Sequence, residues 1–539
     1  MQGISMTESN RGKGSIAFAL NKVSSMEVEP SHTTIDDAEP DPSICMPAFY
    51  SRDARFDGRF FIGVVTTKIY CRPVCPVPFA KKSNVVWLAS AAAAEAAGFR
   101  PCRRCRPQAA PGTPAWLGSS AVVSRALRLI SEGALDDGDV NRLGERIGVG
   151  ARQLRRLFVK HLGAPPLKIA ITRRLHFAQT LIEETDLPIT SIAMSSGFSS
   201  IRQFNHAMRT SVGKSPTEIR QLRDDIKPQR DGLVVRLPYR PPFCWRETLH
   251  FLKTKAIPGV ETVERDCYRR TIEIEGVAGT IAVWQDGDNP QLVFQIDLPR
   301  VDFLMEIVER VRRIFDLGAD PVQIATDLKR DPYLRPFLNS LPGLRVPGAW
   351  DGFELSVAAI LGQNLSARAF GRNSSMKRLV EKLGRPITTS VRGLTHLFPK
   401  PHELVNADLS MAGVFDERAR AIRELARAVC KGKLSYQASK SLDETISRIR
   451  AIAGLDESTA HYIAMRVFSE PDAFPSADPG LQRILGGGDN PVSTVESMQT
   501  AEGWRPWRAY AAMHLCTARL DVRGTPGGKG IKQSATRRE

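Results

Sequence analysis

The stretch FRPCRRC, Phe99–Cys105, puts two arginines between two cysteines and a third arginine, Arg106, directly after them. A disulfide between Cys102 and Cys105 has no use for that charge, and neither has a buried structural metal. A second pair, CRPVC (Cys71–Cys75), stands upstream, and a helix-sized insert, VVWLASAAAAEAAGF (85–99), lies between the two. Two close cysteine pairs around such an insert predict a tetrahedral site in which Cys71, Cys75, Cys102 and Cys105 hold one zinc ion. Spacing alone leaves a purely structural zinc module open. The arginines point further. Four thiolates around a divalent ion keep a net negative charge, and the metal keeps the sulfurs deprotonated and nucleophilic. Arg72, Arg100, Arg103, Arg104 and Arg106 can bring a phosphate backbone against them.

The rest of the chain fits a polyanionic partner. Its 539 residues carry a formal net charge of +17 and 42% hydrophobic residues, enough length for several cores and a surplus of positive charge. Nucleic acid is the first reading of that charge and a membrane surface the second, with the motifs below narrowing the first to double-stranded DNA. No apolar run approaches the length of a spanning helix. The start, MQGISMTESNRGKGSIAFAL, shows neither a sustained apolar core nor a cleavage site, so the expected compartment is the cytoplasm, at the nucleoid. The other five of the nine cysteines, Cys45, Cys244, Cys267, Cys430 and Cys516, are scattered and read as buried apolar residues.

Composition and periodicity divide the chain. Residues 1–43 read as disordered, 44–107 as the zinc-binding α/β unit, and 108–120 as a linker. Residues 121–222 have helical spacing. LGERIGVGARQLRRLF (143–158) reads as a helix, a glycine-containing turn and a second helix. ITSIAMSSGFSSIRQFNHAMR (189–209) repeats the form with Gly197 in its turn, after the connecting helix PPLKIAITRRLHFAQTLIEE. Leu154, Leu157 and Phe158 make the apolar stripe of the first unit; Phe204, Ala207 and Met208 make that of the second. Arg152, Gln153, Arg155, Arg156 and Lys160, and likewise Arg202, Gln203, Asn205, His206 and Arg209, are left to face solvent or the edges and phosphates of a major groove. A charged link (223–232) leads to alternating segments (233–298) that predict a small antiparallel sheet with the helix WRETLHFLKTK. Residues 299–522 read as helical throughout, and 523–539 as a disordered basic tail. The fold class is therefore multidomain α+β.

Three family resemblances follow from these motifs. CMPAFYSRDARFDGRFFIGVVTTKIYCRPVCP followed by GFRPCRRC resembles the amino-terminal domain of the Ada methyl-phosphotriester sensors. That resemblance implies Cys71 as the irreversible methyl acceptor, with Cys75, Cys102 and Cys105 as the other zinc ligands. Arg72, Arg103, Arg104 and Arg106 would hold DNA against it. Capping one sulfur removes one negative charge, so methylation should tighten DNA binding. GFSSIRQFNHAM followed by GKSP resembles the AraC-type activators, whose two units read successive major grooves; promoter DNA and RNA polymerase are the implied partners, with the chain a monomer.

GAWDGFELSVAAILGQNLSARAF (348–370), IAGLDESTAHYIAMR (452–466), DAFPSADPGLQRIL (472–485) and WRPWRAYAAMHL (504–515) resemble in order the AlkA-type 3-methyladenine DNA glycosylases, with a helix-hairpin-helix motif. The implied catalytic aspartate is Asp478, and Ser458 in place of a lysine argues against a lyase step. The hairpin, Gly454-Leu455-Asp456-Glu457, departs from the family's two glycines. Aspartate 456 can adopt the left-handed conformation a glycine would supply, but both carboxylates would repel a docked phosphate. In the implied base pocket Tyr462 remains aromatic, Ser458 and Cys516 replace tryptophans, and Asn364 takes the wedge position. A regulator whose last domain only binds DNA therefore stays open beside an active glycosylase. No PCHR motif of an O6-methylguanine methyltransferase is seen, the GTPGGKG tail does not match the spacing of a phosphate-binding loop, and no organic cofactor is expected.

Overall fold

The computed structural model describes residues 40–111, 121–136, 138–222, 233–287, 289–301, 303–362, 364–367, 371, 374–436, 441–452, 454–487 and 490–522. Residues 1–39, most of the linker at 108–120, the link at 223–232 and the tail at 523–539, for which disorder or linker character was expected, lie outside the described residues. The first helix, α1 (Pro42–Tyr50), starts inside the segment read as disordered: Asp41 caps it by accepting from Ser43 N–H (2.8 Å), and Pro42 sits where no amide is needed.

The zinc unit has a four-stranded sheet made of β1 (Phe61–Val64), β2 (Ile69–Cys71), β3 (Val85–Leu88) and β4 (Arg100–Pro101), in the order β3-β1-β2-β4. β1 pairs antiparallel with β2 and β3, while β2 and β4 are parallel. The insert between the cysteine pairs is thus only partly helical. Its β-branched and aromatic start, VVWL, takes the strand β3, and only Ala91–Ala96 coils as α2, capped by Ser90.

Six helices follow over 121–212: α3 (Ala121–Ser131), α4 (Val140–Ile147), α5 (Ala151–Leu162), α6 (Pro166–Glu184), α7 (Ile189–Ser195) and α8 (Ile201–Val212). Gly144 lets α4 and its turn close up, since a Cβ there would stand 2.5 Å from the Val149 carbonyl oxygen. After α9 (Pro216–Gln221) comes a five-stranded antiparallel sheet of β5 (Leu233–Pro238), β6 (Glu261–Glu264), β7 (Cys267–Ile274), β8 (Val277–Gln285) and β9 (Gln291–Asp297) in the order β5-β9-β8-β7-β6, with α10 (Trp245–Lys255) packed on it. The described residues of the remaining part are mainly helical, with a short antiparallel pairing of Arg385–Pro386 and His396–Leu397 that periodicity did not show.

The parts share cores. Leu175, Ile192, Phe204 and Met208 of the second helix-turn-helix unit join Val235, Tyr268, Phe294 and Val311 in one buried cluster. Ala92 of the zinc unit packs among Val123, Leu143, Leu154 and Phe158 of the first. Ion pairs tie the same seams: Arg59–Asp320 (3.1 Å), Arg173–Glu309 (2.7 Å), and Arg125 and Arg128 on Glu470 (3.4 and 3.7 Å). Phe204 is fully buried at a shared seam. Phe204→Ala is expected to cost about 3–5 kcal/mol and to weaken the sheet's protection as well as α8's. Urea unfolding followed with amide exchange on both regions measures this, and a loss confined to α8 would contradict the shared core.

Candidate metal centre, DNA-facing helices and base pocket

Cys71 ends β2, Cys75 follows one turn later, and Cys102 and Cys105 sit in the turn after β4, so the parallel pairing of β2 and β4 is what brings the two cysteine pairs together. All four sulfurs lie within 4.8 Å of one another and all four residues are buried. Tetrahedral zinc–thiolate geometry needs sulfurs about 3.8 Å apart, so the donor set fits zinc. Sulfurs this close cannot all ionise unless a cation sits among them. Cys45 shares the surrounding apolar cluster, but burial pushes its thiol up to about 12, which leaves it a poor nucleophile. Of the scattered cysteines, Cys45, Cys267 and Cys516 are buried and Cys244 half-buried, while Cys430 is exposed, against expectation, near the end of an amphipathic helix.

The arginines divide in two. Arg103, Arg104 and Arg100 are exposed beside the sulfurs. Arg72 and Arg106, expected on DNA, are engaged within the protein. The Arg72 Nε donates to both Asp57 oxygens (2.9 and 3.1 Å), its Nη1 donates to the Cys105 carbonyl (3.1 Å), and its backbone N–H points at Cys105 Sγ (3.4 Å). Arg72 therefore orients a ligand, as groups behind a metal site do. Arg106 pairs with Glu183 near the end of α6. Next to Cys71, the Tyr70 hydroxyl lies within hydrogen-bond distance of Glu95 (3.2 Å) and His176 (3.3 Å), and the Thr172 hydroxyl donates to Glu95 (2.8 Å). Burial pushes the Glu95 carboxyl upward, yet His176, Thr172 and Lys168 together hold it below the usual range. Strand β2 is thus bonded to α6, the helix joining the two helix-turn-helix units.

In those units Leu154, Phe158, Phe204 and Met208 are buried, with Leu157 and Ala207 at the margin. Arg152, Gln153, Arg155, Arg156 and Lys160 stand exposed along α5. Arg202, Gln203, His206 and Arg209 do so along α8, with Asn205 half-buried. Arg202, Asn205, His206 and Arg209 line one open groove with Ile201. Gln203 Oε1 accepts from the Ser199 hydroxyl (3.0 Å), which fixes its amide.

In the helical part Asp478 is 1% exposed and caps the helix Pro479–Leu485. Its Oδ1 accepts from the N–H groups of Gly480 (2.9 Å) and Leu481 (3.2 Å), and its Oδ2 accepts from Ser366 N–H (3.0 Å). Tyr462 is buried, and its hydroxyl accepts from Arg466 Nη1 (2.9 Å); Ser458 lies one turn earlier on the same helix, half-buried. Cys516 is buried and Asn364 half-buried, and the ammonium of Lys255 connects this group. It donates to the Asn364 carbonyl (2.8 Å) and is coupled electrostatically to Cys516 and Asp478.

The hairpin is ordered differently from expectation. Gly454 holds the left-handed conformation (φ +86°), where a Cβ would also meet Ala421 at 2.6 Å. Asp456 does not (φ −77°): it caps the helix Glu457–Val467, accepting from Thr459 N–H (2.7 Å). Glu457 pairs with Arg450 (3.3 Å). Both carboxylates thus already have partners within the hairpin.

Three family descriptions match in succession: the metal binding domain of Ada over residues 44–108, a helix-turn-helix domain over 143–222, and the AlkA N-terminal domain over 234–351. A probable bifunctional transcriptional activator/DNA repair enzyme AlkA from Mycobacterium tuberculosis is 39% identical over 481 residues, covering 88% of this chain and 95% of that one. The chain belongs to this AlkA family of bifunctional proteins. Within the family's plan, Cys71, Cys75, Cys102 and Cys105 form its single four-cysteine zinc site. DNA-3-methyladenine glycosylase 2 of Escherichia coli is 28% identical over 285 residues, 52% of this chain and 96% of that one. The bifunctional transcriptional activator/DNA repair enzyme Ada of the same organism is 35% identical over 116 residues, 22% of this chain and 31% of that one. Among the described residues of this AlkA-family chain no helix is long and apolar enough to cross a membrane.

Sequence reading missed Asp57, Glu95, Ser366, Lys255 and Arg466. Two of them left a trace. Glu95 is the lone acid in an alanine run, and Lys255 continues the buried stripe of Thr248, Phe251 and Leu252 on α10. The helical part also carries a pH signature. His461 Nδ1 accepts from Phe474 N–H (3.2 Å), in the run leading to Asp478, and burial holds its pKa down at about 4; burial does the same for His514, at about 4. The unfolded chain protonates both below about 6.5, whereas the folded chain does not until near 4. Stability should therefore fall through that window as pH drops, by up to about 1.4 kcal/mol per pH unit for each histidine. Urea midpoints at a series of pH values check this, and a midpoint constant down to pH 4.5 would contradict it.

Proposed function

We propose that the chain is an alkylation-response protein that senses methylated DNA backbone, activates transcription and excises alkylated bases. The observation carrying the sensor reading is the buried four-sulfur cluster with Arg103 and Arg104 exposed beside it. Bound zinc keeps the sulfurs ionised at neutral pH. The exposed arginines hold the phosphate, Cys71 Sγ attacks the methyl carbon of a methyl phosphotriester, and a sulfur–carbon bond forms. The carbon–oxygen bond breaks, its electron pair leaving on the phosphodiester. One negative charge is lost from the site, repulsion from DNA falls, and α5 and α8 bind their promoter sites more tightly, where the chain recruits RNA polymerase. It works as a monomer at the nucleoid.

In the helical domain the nucleotide flips out, Tyr462, Ser458, Cys516 and Asn364 border the base, and Asp478 faces the sugar. The C1′–N bond breaks with its electron pair going to the base. The Asp478 carboxylate stabilises the positive sugar until water adds. Serine at 458 supplies no amine, so excision is monofunctional. Ser458 and Cys516, which offer no aromatic faces, favour a second reading in which this domain only grips DNA. The sensor half is tested by mass spectrometry of the full chain after exposure to methylated DNA. A gain of about 14 Da, one methyl replacing one proton, is expected on Cys71, and its absence would leave a structural zinc module. Release of 3-methyladenine from alkylated DNA tests the other half.

A further inference from the structure

Helix α3 carries two faces with different tasks. Val123, Ala126, Leu129 and Ile130 sink into the core that also buries Leu154 and Phe158 of α5. Arg125 and Arg128, three residues apart and so on one side of the helix, point away from that core. The Arg125 Nε donates to Glu470 Oε1 (3.4 Å), and the Arg128 Nη2 lies 3.7 Å from the same oxygen. Both arginine side chains are largely buried, and Glu470, 345 residues after Arg125, is only 2% exposed. Glu132, just past the end of α3 on the same side, pairs with Arg313 (3.3 Å). The Arg313 carbonyl accepts from Gly348 N–H (3.2 Å), and the next residue, Ala349, donates its N–H to the carbonyl of Arg466 (2.9 Å), whose side chain bonds Tyr462.

Glu470 opens the run that ends at Asp478, and that run is tied down at intervals. Its N–H donates to the Ala464 carbonyl (3.2 Å) on the helix Glu457–Val467, and its carbonyl accepts from Ala473 N–H (3.2 Å). Arg508 Nε then donates to Asp472 Oδ1 (2.7 Å), Phe474 N–H to His461 Nδ1 (3.2 Å), and Asp478 N–H to the Pro475 carbonyl (2.9 Å). These anchors belong to the helical domain, whereas the Glu470 side chain takes its cations from α3. A carboxylate this buried is costly to keep charged unless it is paired. Without Arg125 and Arg128 the head of the run has reason to move toward water, and Asp478 stands at its other end. A displacement of about 1 Å at a reacting group can cost about a hundredfold in rate.

Resting on the reading of the helical domain as a glycosylase, we propose that Arg125 and Arg128 are positioning residues for base excision, which act through Glu470 to fix the run that sets Asp478 in place. The excision site is then incomplete without a helix that also supports α5.

Single-turnover release of 3-methyladenine from methylated DNA by the full chain tests it. Arg125→Gln/Arg128→Gln keeps donors on α3 and removes both charges. Its maximal rate should fall by at least about tenfold, while the protein concentration giving half that rate stays within about twofold of wild type. Arg125→Lys/Arg128→Lys keeps the charges and, since neither arginine is bidentate here, should excise within about threefold of wild type. Melting of each variant corrects the rates for unfolded protein. A corrected rate for the glutamine variant within about twofold of wild type would mean that the pair only glues two domains, and would overturn the proposal. An equal loss in the lysine variant would overturn it too, since charge would not be what holds the run. Should the glutamine variant not fold, Glu470→Gln carries the test: a corrected rate at least about threefold lower supports the proposal and an unchanged one overturns it. A wild type that releases no base overturns the glycosylase reading instead, and the role of the two arginines falls with it.

Discussion

Asp478→Asn is expected to lower base excision by at least about a thousandfold while leaving affinity for undamaged DNA within about twofold. The carboxylate is buried and accepts three backbone N–H groups, from Gly480, Leu481 and Ser366. Those bonds hold both oxygens in place before any charge develops on the sugar, so no reorganisation is needed at the moment of bond breaking. An asparagine can still accept from Gly480 and Leu481 through its one oxygen. Its NH2 would then face the Ser366 N–H, donor against donor, and the variant should also lose about 1–3 kcal/mol of stability. Melting of the variant separates the two effects. Excision reduced only in proportion to unfolded protein would mean that Asp478 is no more than a helix cap.

Cys71→Ala is expected to abolish methyl uptake completely and, without any DNA damage, to raise operator affinity at low salt by about fivefold, the scale of one unit charge near a phosphate in water. Removing the thiolate removes the same negative charge that methylation would remove. The variant should therefore resemble the methylated protein in binding while being unable to become methylated. Arg103→Ala should act in the opposite sense, because it removes an exposed positive charge next to the zinc ligand Cys102. A Cys71→Ala chain with ordinary operator affinity and intact zinc content would show that charge at this sulfur does not govern binding.

The features legible in the sequence were the local ones. The cysteine pairs announce themselves by spacing, and the helix-turn-helix units by stripes such as Leu154 with Phe158 and Phe204 with Met208. What stayed hidden depends on partners distant in the chain. Nothing beside Arg72 or Arg106 tells that Asp57 and Glu183 take up their guanidiniums. The hairpin carboxylates looked like obstacles to phosphate because charge is visible in a sequence and capping is not; Asp456 turns its oxygen to Thr459 N–H instead. Hydrophobic periodicity also separated domains that share cores, since it reports that a face is buried and not what buries it. Lys255 shows the same limit: it reads as the charged end of an amphipathic helix and becomes part of a site only when α10 packs beside Asn364.

Those shared cores bear on how the parts cooperate. Strand β2 reaches α6 through Tyr70, Glu95 and Thr172, and α3 reaches the run before Asp478 through Arg125 and Glu470. The zinc unit, the helix-turn-helix units and the helical part are thus joined by bonded groups.

The central claim is that losing one negative charge at Cys71 is what turns DNA binding on. It is tested most directly by titrating the full chain, unmodified and methylated at Cys71, against operator duplex at low and at high salt. Tighter binding by the methylated chain at low salt, with the difference shrinking as salt rises, is the predicted result. Equal affinity of the two forms at both salt concentrations would contradict it.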